Sequence, residues 1–260
     1  MLSRDIGAPL SRLERALHQF APHPQPPVEA GPGLSRKSRK ATGTTPSSTE
    51  QRSLVRLRGD TVRVTSEWTP YYEYAGDDPR ETLLGALDRF AKPGLAVDLG
   101  CGSGRDTFEL LRRGWRVLAI DAEREALERL LPHGELDLSR LETQLARFED
   151  AAWPDADLVN ASFALPFCGP EHFRALWERV VASLRPGARF CGQLFGDRDE
   201  WASTHAEMTF HTRGEVERLL SGLDVERLDE VEEDGPTAFE PVKHWHVFHV
   251  VVRRPLAGGG

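Results

Sequence analysis

Residues 96–106 read Ala-Val-Asp-Leu-Gly-Cys-Gly-Ser-Gly-Arg-Asp, an apolar run that ends in an acid and three alternate glycines. A helix-like pattern follows over residues 107–113, and a second apolar run, Trp115 to Ile120, ends in Asp121. A strand, a glycine turn, a helix and a second strand that ends in an acid form one half of a nucleotide-binding α/β sheet. The stretch therefore predicts a doubly wound fold with its ligand at this turn.

The spacing of the glycines separates two kinds of ligand. A dinucleotide site has the pattern G-x-G-x-x-G, but the glycines here are Gly100, Gly102 and Gly104. Arg105 stands where the third glycine of the dinucleotide pattern would fall, and Asp98 puts a carboxylate beside the position of an anionic pyrophosphate. These residues disfavour NAD. They suit a ligand with positive charge and no phosphate, such as S-adenosylmethionine with its ammonium and sulfonium groups.

The pattern D-x-G-x-G-x-G resembles motif I of class I S-adenosylmethionine-dependent methyltransferases. The resemblance implies contacts after four strands, with Asp121 accepting hydrogen bonds from the ribose hydroxyls, an acid near adenine, and Asn160 near the methionine portion. The implied cofactor-binding residues are Asp98, Gly100, Cys101, Gly102, Gly104, Asp121, Ala122, Phe148, Glu149 and Asn160. The alternative is a glycine turn that binds nothing; the presence of both Asp98 and Asp121 favours the cofactor site.

Other segments narrow the resemblance to small-molecule enzymes. Residues 113–117 and 184–188 look like that branch of the class, and Met208 to Val216 is similar to the tellurite-resistance-type methyltransferases. The similarity extends over about residues 66–253. It departs from the family near Leu141 to Asp157, where the pattern does not mark the third strand, and the implied adenine contacts fall within this segment.

Alternating patterns along the chain predict the architecture. We expect strands near residues 95–99, 115–120, 143–148, 156–162 and 188–195, and helices near 104–113, 122–131, 170–184 and 212–221. Thr212-x-x-Glu215 has the pattern of a capping box and marks the start of the last helix. Such alternation predicts a mostly parallel sheet covered on both faces. Two further apolar runs, 223–231 and 243–253, have no helix between them and are expected to pair antiparallel. The expected fold is Rossmann-like, with the seven strands of the methyltransferase fold and a C-terminal antiparallel hairpin.

Composition and charge limit the classes of partner. The chain has 260 residues and a formal net charge of −8; residues 1–50 hold seven basic and four acidic residues, so the remainder is strongly acidic. An acidic body disfavours nucleic acid, and no apolar run approaches the ~20 residues of a membrane span. The three cysteines include no C-x-x-C pair, which indicates neither a disulfide framework nor a zinc site. We expect a cytoplasmic protein; its oligomeric state stays open.

The N-terminal part differs in composition from the rest. Residues 1–50 are expected to be a disordered extension or sequence upstream of the true start codon, because residues 21–50 are rich in Pro, Ser, Thr and Gly. Residues 51–260 form the expected methyltransferase domain, with an N-terminal lid and helix region at 66–92. Within that region, Asp78 is expected to cap a helix from Pro79 to Phe90.

Few residues are candidates for a catalytic role. Tyr71 and Tyr72 lie in the expected lid, although packing of the lid on the sheet explains them equally well. His205 lies in the irregular segment after the fifth strand, where a base would face the acceptor, although a solvated loop histidine is the simpler interpretation. The run His244-Trp245-His246-Val247-Phe248-His249 places its third histidine on the opposite strand face, so a final strand is a better interpretation than a metal site.

The sequence as a whole predicts methyl transfer from S-adenosylmethionine to a small-molecule acceptor by in-line displacement. The alternatives are a non-catalytic module that binds S-adenosylmethionine and, less favoured, an NAD-dependent oxidoreductase. A soft sulfur, selenium or tellurium nucleophile needs little base, whereas an oxygen or nitrogen acceptor of high pKa needs one nearby. The residues do not distinguish between these two kinds of acceptor.

Overall fold

The computed structural model describes residues 67–131 and 136–256. The expectations for residues 1–50, and for the part of the domain before residue 67, lie outside the described residues. No helix in the described ranges is long and apolar enough to cross a membrane.

An eight-stranded mixed sheet organises the described chain. Its strands are β1 (Leu95–Leu99), β2 (Arg116–Asp121), β3 (Leu141–Leu145), β4 (Ala156–Ala161), β5 (Leu184–Gly196), β6 (Phe210–His211), β7 (Asp224–Gly235) and β8 (Lys243–Arg253). The order is β3-β2-β1-β4-β5-β8-β7, and the short β6 pairs with β5. Strands β1 to β6 run parallel, whereas β8 is antiparallel to both β5 and β7. The predicted parallel sheet with a C-terminal antiparallel hairpin is confirmed.

Helices cover both faces of the sheet. They are α1 (Thr69–Tyr74), α2 (Glu81–Leu87), α3 (Arg105–Arg112), α4 (Arg124–Arg129), α5 (Pro170–Ser183) and α6 (Arg213–Leu219), and three short 3-10 turns lie at Leu138–Arg140, Leu165–Phe167 and Glu200–Ser203. Apolar side chains of α5 and α6 share one buried core with the strands, and those of α2 and α3 share the other. Each central strand therefore buries both of its faces, as parallel strands in α/β proteins do.

The alternation along β1 and β4 decides which polar residues lie together. Val97 and Leu99 point into the core beneath α5, so Asp98 points to the opposite face. Val159 alternates with Asn160 in the same way on the neighbouring β4, and Asp98 pairs directly with Asn160 in the register. The strand period thus places an acid and an amide side by side beneath α3.

Two predicted boundaries were wrong. The third strand is Leu141–Leu145 rather than 143–148. It is the edge strand, three of its five residues are exposed, and its apolar pattern is correspondingly weak. The helix expected from Pro79 with Asp78 as its cap begins at Glu81, with Arg80 as N-cap and no side-chain cap. The Arg80 amide instead donates 2.9 Å to Asp106 Oδ1, so a distant carboxylate replaces the expected local one.

The predicted capping box at the start of the last helix is confirmed. Thr212 receives a hydrogen bond from the Glu215 amide, and the Glu215 side chain accepts one from the Thr212 amide. This reciprocal arrangement is encoded entirely within four residues, which is why the sequence reveals it.

Candidate active site

A cavity of about 500 Å³ opens at the carboxyl ends of β1 to β5. The glycine turn after β1 forms one wall, the α1 segment lies across it, and the connection between β7 and β8 borders the far side. Ligands of open parallel sheets bind at this edge, where the connections on the two sides of β1 diverge. The sheet order puts β2 and β3 on one side of β1 and puts β4, β5 and β8 on the other.

The glycine turn is built for backbone contact with a ligand. Gly104 has a φ of 95°, and a Cβ there would overlap Leu130 and Phe108. Gly102 has a φ of 53°, but a Cβ there would meet nothing closer than a Tyr72 ring carbon at 3.7 Å. Gly104 is therefore required for helix packing, whereas Gly102 leaves its backbone open to the cavity. Gly100 and Cys101 both donate hydrogen bonds to the carbonyl of Ile120, which fixes the turn against β2.

Asp121 ends β2 with its carboxylate held by two backbone amides. Its Oδ2 accepts a 2.9 Å hydrogen bond from Gly102, and its Oδ1 accepts one of 2.8 Å from Glu123. Burial raises the pKa of Asp121, and these amide hydrogen bonds oppose that rise. Each carboxylate oxygen can accept a further hydrogen bond. The carboxylate lines the cavity together with its neighbour Ala122.

A second acidic group lies beneath the glycine turn. Asn160 Nδ2 donates to Asp98 Oδ1 at 2.9 Å and to Asp106 Oδ2 at 3.1 Å, and Thr107 Oγ1 donates to Asp98 Oδ2 at 2.5 Å. Burial and the nearby Asp106 raise the pKa of Asp98 well above the usual range of an aspartate. Both carboxylates line the cavity, so a cation there would be stabilised.

Asn160 occupies a different place from the one that the sequence suggests. Its side chain is fully buried and is not part of the cavity lining; it links the carboxylates of Asp98 and Asp106. The direct contact with the cofactor that the resemblance implies for Asn160 stays a prediction. Asp106 itself was missed in the sequence, although it lies directly after the glycine motif and Arg105.

The segment after β3 brings the remaining expected residues to the cavity. Phe148 and Glu149 both line it, despite the shifted strand boundary. The Arg179 guanidinium donates to the carbonyl oxygens of Phe148 and Glu149, which fixes this loop. The Phe148 ring lies beside the glycine turn, since its Cζ would be 3.7 Å from a Cβ at Gly100.

Aromatic side chains line the other side of the cavity, and most of them lie outside the segments expected to bind the cofactor. We call this set the aromatic wall; it consists of Trp68, Phe163, Phe167, Phe195, Trp201, Phe239 and Trp245. Neighbouring rings contact edge to face or at a tilt: the centroids of Trp68 and Phe167 are 5.0 Å apart, and those of Trp201 and Trp245 are 5.6 Å apart. These residues come from well-separated segments of the chain. The one sequence signal that could have identified some of them is their position just after the end of a strand.

The three catalytic candidates have different surroundings. Tyr71 and Tyr72 line the cavity, whereas His205 is not part of its lining; the His205 ring lies beside Trp201 and its Nδ1 is 2.8 Å from Thr204 Oγ1. Burial and the neighbouring Asp121 raise the pKa of Tyr72, so its hydroxyl stays protonated and can donate a hydrogen bond rather than act as a base. The position of His205 gives no support to its predicted role as a base.

The histidines of β8 divide between the two sheet faces as expected. His246 contacts Glu230 at 2.9 Å, whereas His249 lies near Phe163 and Gln193. In the part of the chain that the structure describes, no group of three His, Cys, Asp or Glu side chains is arranged to hold a metal ion.

The order and direction of the strands are those of the class I S-adenosylmethionine-dependent methyltransferase fold. Residues 96–187 match the family described as a methyltransferase domain. This matched segment contains the glycine turn, both acidic groups and the Phe148 loop.

Part of the chain is also similar to curated proteins. The chain is 34% identical over 116 residues to the carboxy-S-adenosyl-L-methionine synthase of Vibrio cholerae, which covers 41% of this chain and 46% of the relative. It is also 34% identical over 116 residues to the synthase of the same name from Photobacterium profundum, covering 41% and 47%. The chain spans about half the length of the curated relatives it matches.

Solved structures share the fold at low sequence identity. TehB from Haemophilus influenzae superposes with a TM-score of 0.60 at 14% identity, over 72% of this chain and 66% of TehB. The N-methyltransferase NodS from Bradyrhizobium japonicum, crystallised with S-adenosyl-L-homocysteine, has a TM-score of 0.52 at 18% identity, over 66% of this chain and 84% of NodS. These similarities establish the fold alone.

Proposed function

We propose that this protein transfers a methyl group from S-adenosylmethionine to a small-molecule acceptor. The observation that carries the proposal is the pair of acidic groups on the two sides of one open glycine turn. Asp98 and Asp106 line the cavity below the turn, and Asp121 lines it above. S-adenosylmethionine has a cationic ammonium group that suits the first group of acids and ribose hydroxyls that suit Asp121.

The residues present fit this cofactor chemically. Asp98 and Asp106 would bind the ammonium group, since two partly compensated carboxylates favour a cation. Asp121 would accept hydrogen bonds from the ribose hydroxyls with the lone pairs that Gly102 and Glu123 leave open. Phe148 and Glu149 would hold the adenine, with Phe148 supplying an apolar ring face.

S-adenosylmethionine, when bound, supplies an electrophilic methyl group on a sulfonium. The chain's contribution is to hold the acceptor in line with that group and to exclude water, since transfer by displacement depends mainly on positioning. The α1 segment and the aromatic wall enclose the cavity opposite the glycine turn. Tyr72, kept protonated, can orient a donor or acceptor atom but does not remove a proton.

The test is to incubate the protein with methyl-labelled S-adenosylmethionine and a panel of phenols, thiols, amines and chalcogen oxyanions. Label transferred to one acceptor class, with formation of S-adenosylhomocysteine, supports the proposal. Binding without transfer across the whole panel would contradict it and favour a non-catalytic binding module.

One relative's name adds a second product to look for. Because the curated relatives are carboxy-S-adenosyl-L-methionine synthases, mass spectrometry of the adenosyl product separates the two activities. S-adenosylhomocysteine is the expected product. A carboxylated S-adenosylmethionine in its place would contradict methyl transfer as the activity.

A further inference from the structure

Most of the charged residues that line the cavity are acidic. The acids that line it among the described residues are Glu67, Asp98, Asp106, Asp121, Glu123, Glu149, Glu171 and Glu207, and the basic residues are Arg105 and Arg147. Arg105 is buried and donates 2.8 Å to the Ala75 carbonyl, and Arg147 lies after β3, 3.7 Å from Glu149. Both arginines belong to the segments that border the proposed cofactor site, and both have acceptors there.

The opposite side of the cavity is lined by aromatic rings. An anionic acceptor would need basic side chains there. The sheet order separates the two sides, because Phe163 and Phe195 belong to the ends of β4 and β5 and Trp245 belongs to β8. Apart from Arg105 and Arg147, the charged residues in the described lining are acids, and one of them, Glu67, is the chain neighbour of Trp68 in the aromatic wall. An anionic acceptor placed here would face acids and ring faces, both of which repel negative charge.

Lys243 lies close to this wall but is enclosed behind it. Its Nζ is 3.7 Å from the centroid of the Trp245 ring and 4.4 Å from that of Trp201, and it donates 2.5 Å to Asp199. Both the lysine and the aspartate side chains are fully buried, and neither residue lines the cavity. The ammonium therefore stiffens the wall through cation–π contacts and has no surface to offer an acceptor.

Arg80 is enclosed in a similar way. Its guanidinium carbon lies 4.5 Å from the centroid of the Phe163 ring, and the residue is 3% exposed and absent from the cavity lining. The Lys243 ammonium and the Arg80 guanidinium both lie against ring faces of the wall. Neither is available to bind the carboxylate or oxyanion of an acceptor.

On the basis of the methyl transfer proposed above, we propose that the aromatic wall selects a planar aromatic acceptor that carries no negative charge. In the reaction, the bond between the methyl carbon and sulfur breaks, and its electron pair stays on sulfur to give S-adenosylhomocysteine. A lone pair on an oxygen, nitrogen or sulfur of the acceptor forms the new bond to carbon. The proton that this atom carried passes to solvent.

The test uses three probes and the full-length protein saturated with S-adenosylhomocysteine. Calorimetry compares 2-naphthol, which is uncharged at neutral pH, with 2-naphthoate, which has the same ring system and a negative charge, and with tellurite. We expect 2-naphthol to bind at least about tenfold more tightly than 2-naphthoate, and tellurite not to bind. Equal or tighter binding of 2-naphthoate, or binding of tellurite alone, would overturn the inference.

Two variants on the connection between β7 and β8 test whether 2-naphthol binds at the aromatic wall. Phe239 belongs to the aromatic wall yet is 52% exposed, so Phe239→Ala is not expected to impair folding. This variant should weaken 2-naphthol about tenfold and leave S-adenosylhomocysteine binding unchanged. Val242→Ala, at a 63% exposed residue outside the cavity lining, is the matched control and should change neither. Unchanged 2-naphthol affinity in Phe239→Ala would contradict the assignment.

The same titrations distinguish the two proposals. If S-adenosylhomocysteine binds and 2-naphthol does not, the acceptor inference fails while the cofactor site stands. If S-adenosylhomocysteine itself does not bind, the proposed function fails first.

Discussion

The backbone amide of Gly102 donates a 2.9 Å hydrogen bond to the carboxylate of Asp121. This contact joins the glycine turn after β1 to the end of β2, two segments that are nineteen positions apart in the sequence. It holds the acid at the mouth of the cavity and orients the Gly102 backbone towards the same space. The two most informative features of the sequence are thus parts of one structural unit.

Asp121→Ala should weaken binding of S-adenosylhomocysteine by about 1.5–3 kcal/mol. The expected loss exceeds that of one ordinary hydrogen bond because a carboxylate makes charge-assisted bonds. Isothermal titration calorimetry measures it directly. Glu142→Ala, at an exposed acid on the neighbouring edge strand, is the matched control and should retain full affinity. An unchanged affinity in Asp121→Ala would mean that the ribose lies elsewhere.

Asp98→Asn should weaken cofactor binding without lowering the stability of the fold. Burial raises the pKa of Asp98, so the folded state holds its proton more tightly than the unfolded state does, and its ionised form costs stability at neutral pH. The neutral amide removes this cost but also removes the charge that would attract an ammonium. We expect thermal unfolding at neutral pH to occur at the same or a higher temperature, while S-adenosylhomocysteine binds more weakly. A variant that is less stable yet binds normally would contradict this role.

Cofactor affinity should fall as the pH is lowered from about 7.5 to about 5. The pKa values of Asp98 and Asp121 are both raised by burial, so these carboxyls take up protons above the usual range of an aspartate and lose their charge. Calorimetry at several pH values measures the effect. The Asp98→Asn variant should show a shallower dependence, because one of the two titrating groups is gone. Affinity that rises on acidification would be inconsistent with carboxylate ligands.

Gly104→Ala should destabilise the fold by about 1–3 kcal/mol. The φ of 95° disfavours any residue with a Cβ, and the added methyl group would overlap Leu130 and Phe108. Gly85→Ala, within α2 and facing only the end of the Arg89 side chain at 3.6 Å, is the control and should stabilise by about 0.5–1 kcal/mol. Chemical denaturation of both variants measures the difference. Equal effects would mean that helix α3 does not pack on the turn as described.

The sequence predicted those parts of the structure that are encoded locally. The glycine turn, the acid that ends β2 and the capping box at Thr212 each lie within a few consecutive residues, and their chemistry is specific. The hairpin of β7 and β8 could be predicted because no helix pattern separates the two segments whose apolar residues follow a strand pattern.

The parts that depend on tertiary contacts were not predictable in the same way. Strand β3 is exposed along one edge, so its pattern did not fix its ends. The N-cap residue of α2, Arg80, donates its amide to a carboxylate from α3, Asp106, twenty-six positions away. The aromatic wall is assembled from separate loops, and Phe163 enters it with a φ of 53°, a conformation that no sequence pattern indicated. The residues of the proposed donor site could therefore be found in the sequence, whereas those of the proposed acceptor site come together only in the fold.

A calorimetric titration of the unmodified protein with S-adenosylhomocysteine and, separately, with NADH tests the central claim most directly. The acids around the glycine turn predict that one equivalent of S-adenosylhomocysteine binds and that NADH, with its anionic pyrophosphate, does not. Tight binding of NADH without binding of S-adenosylhomocysteine would contradict the assignment of the cavity to an adenosyl methyl donor.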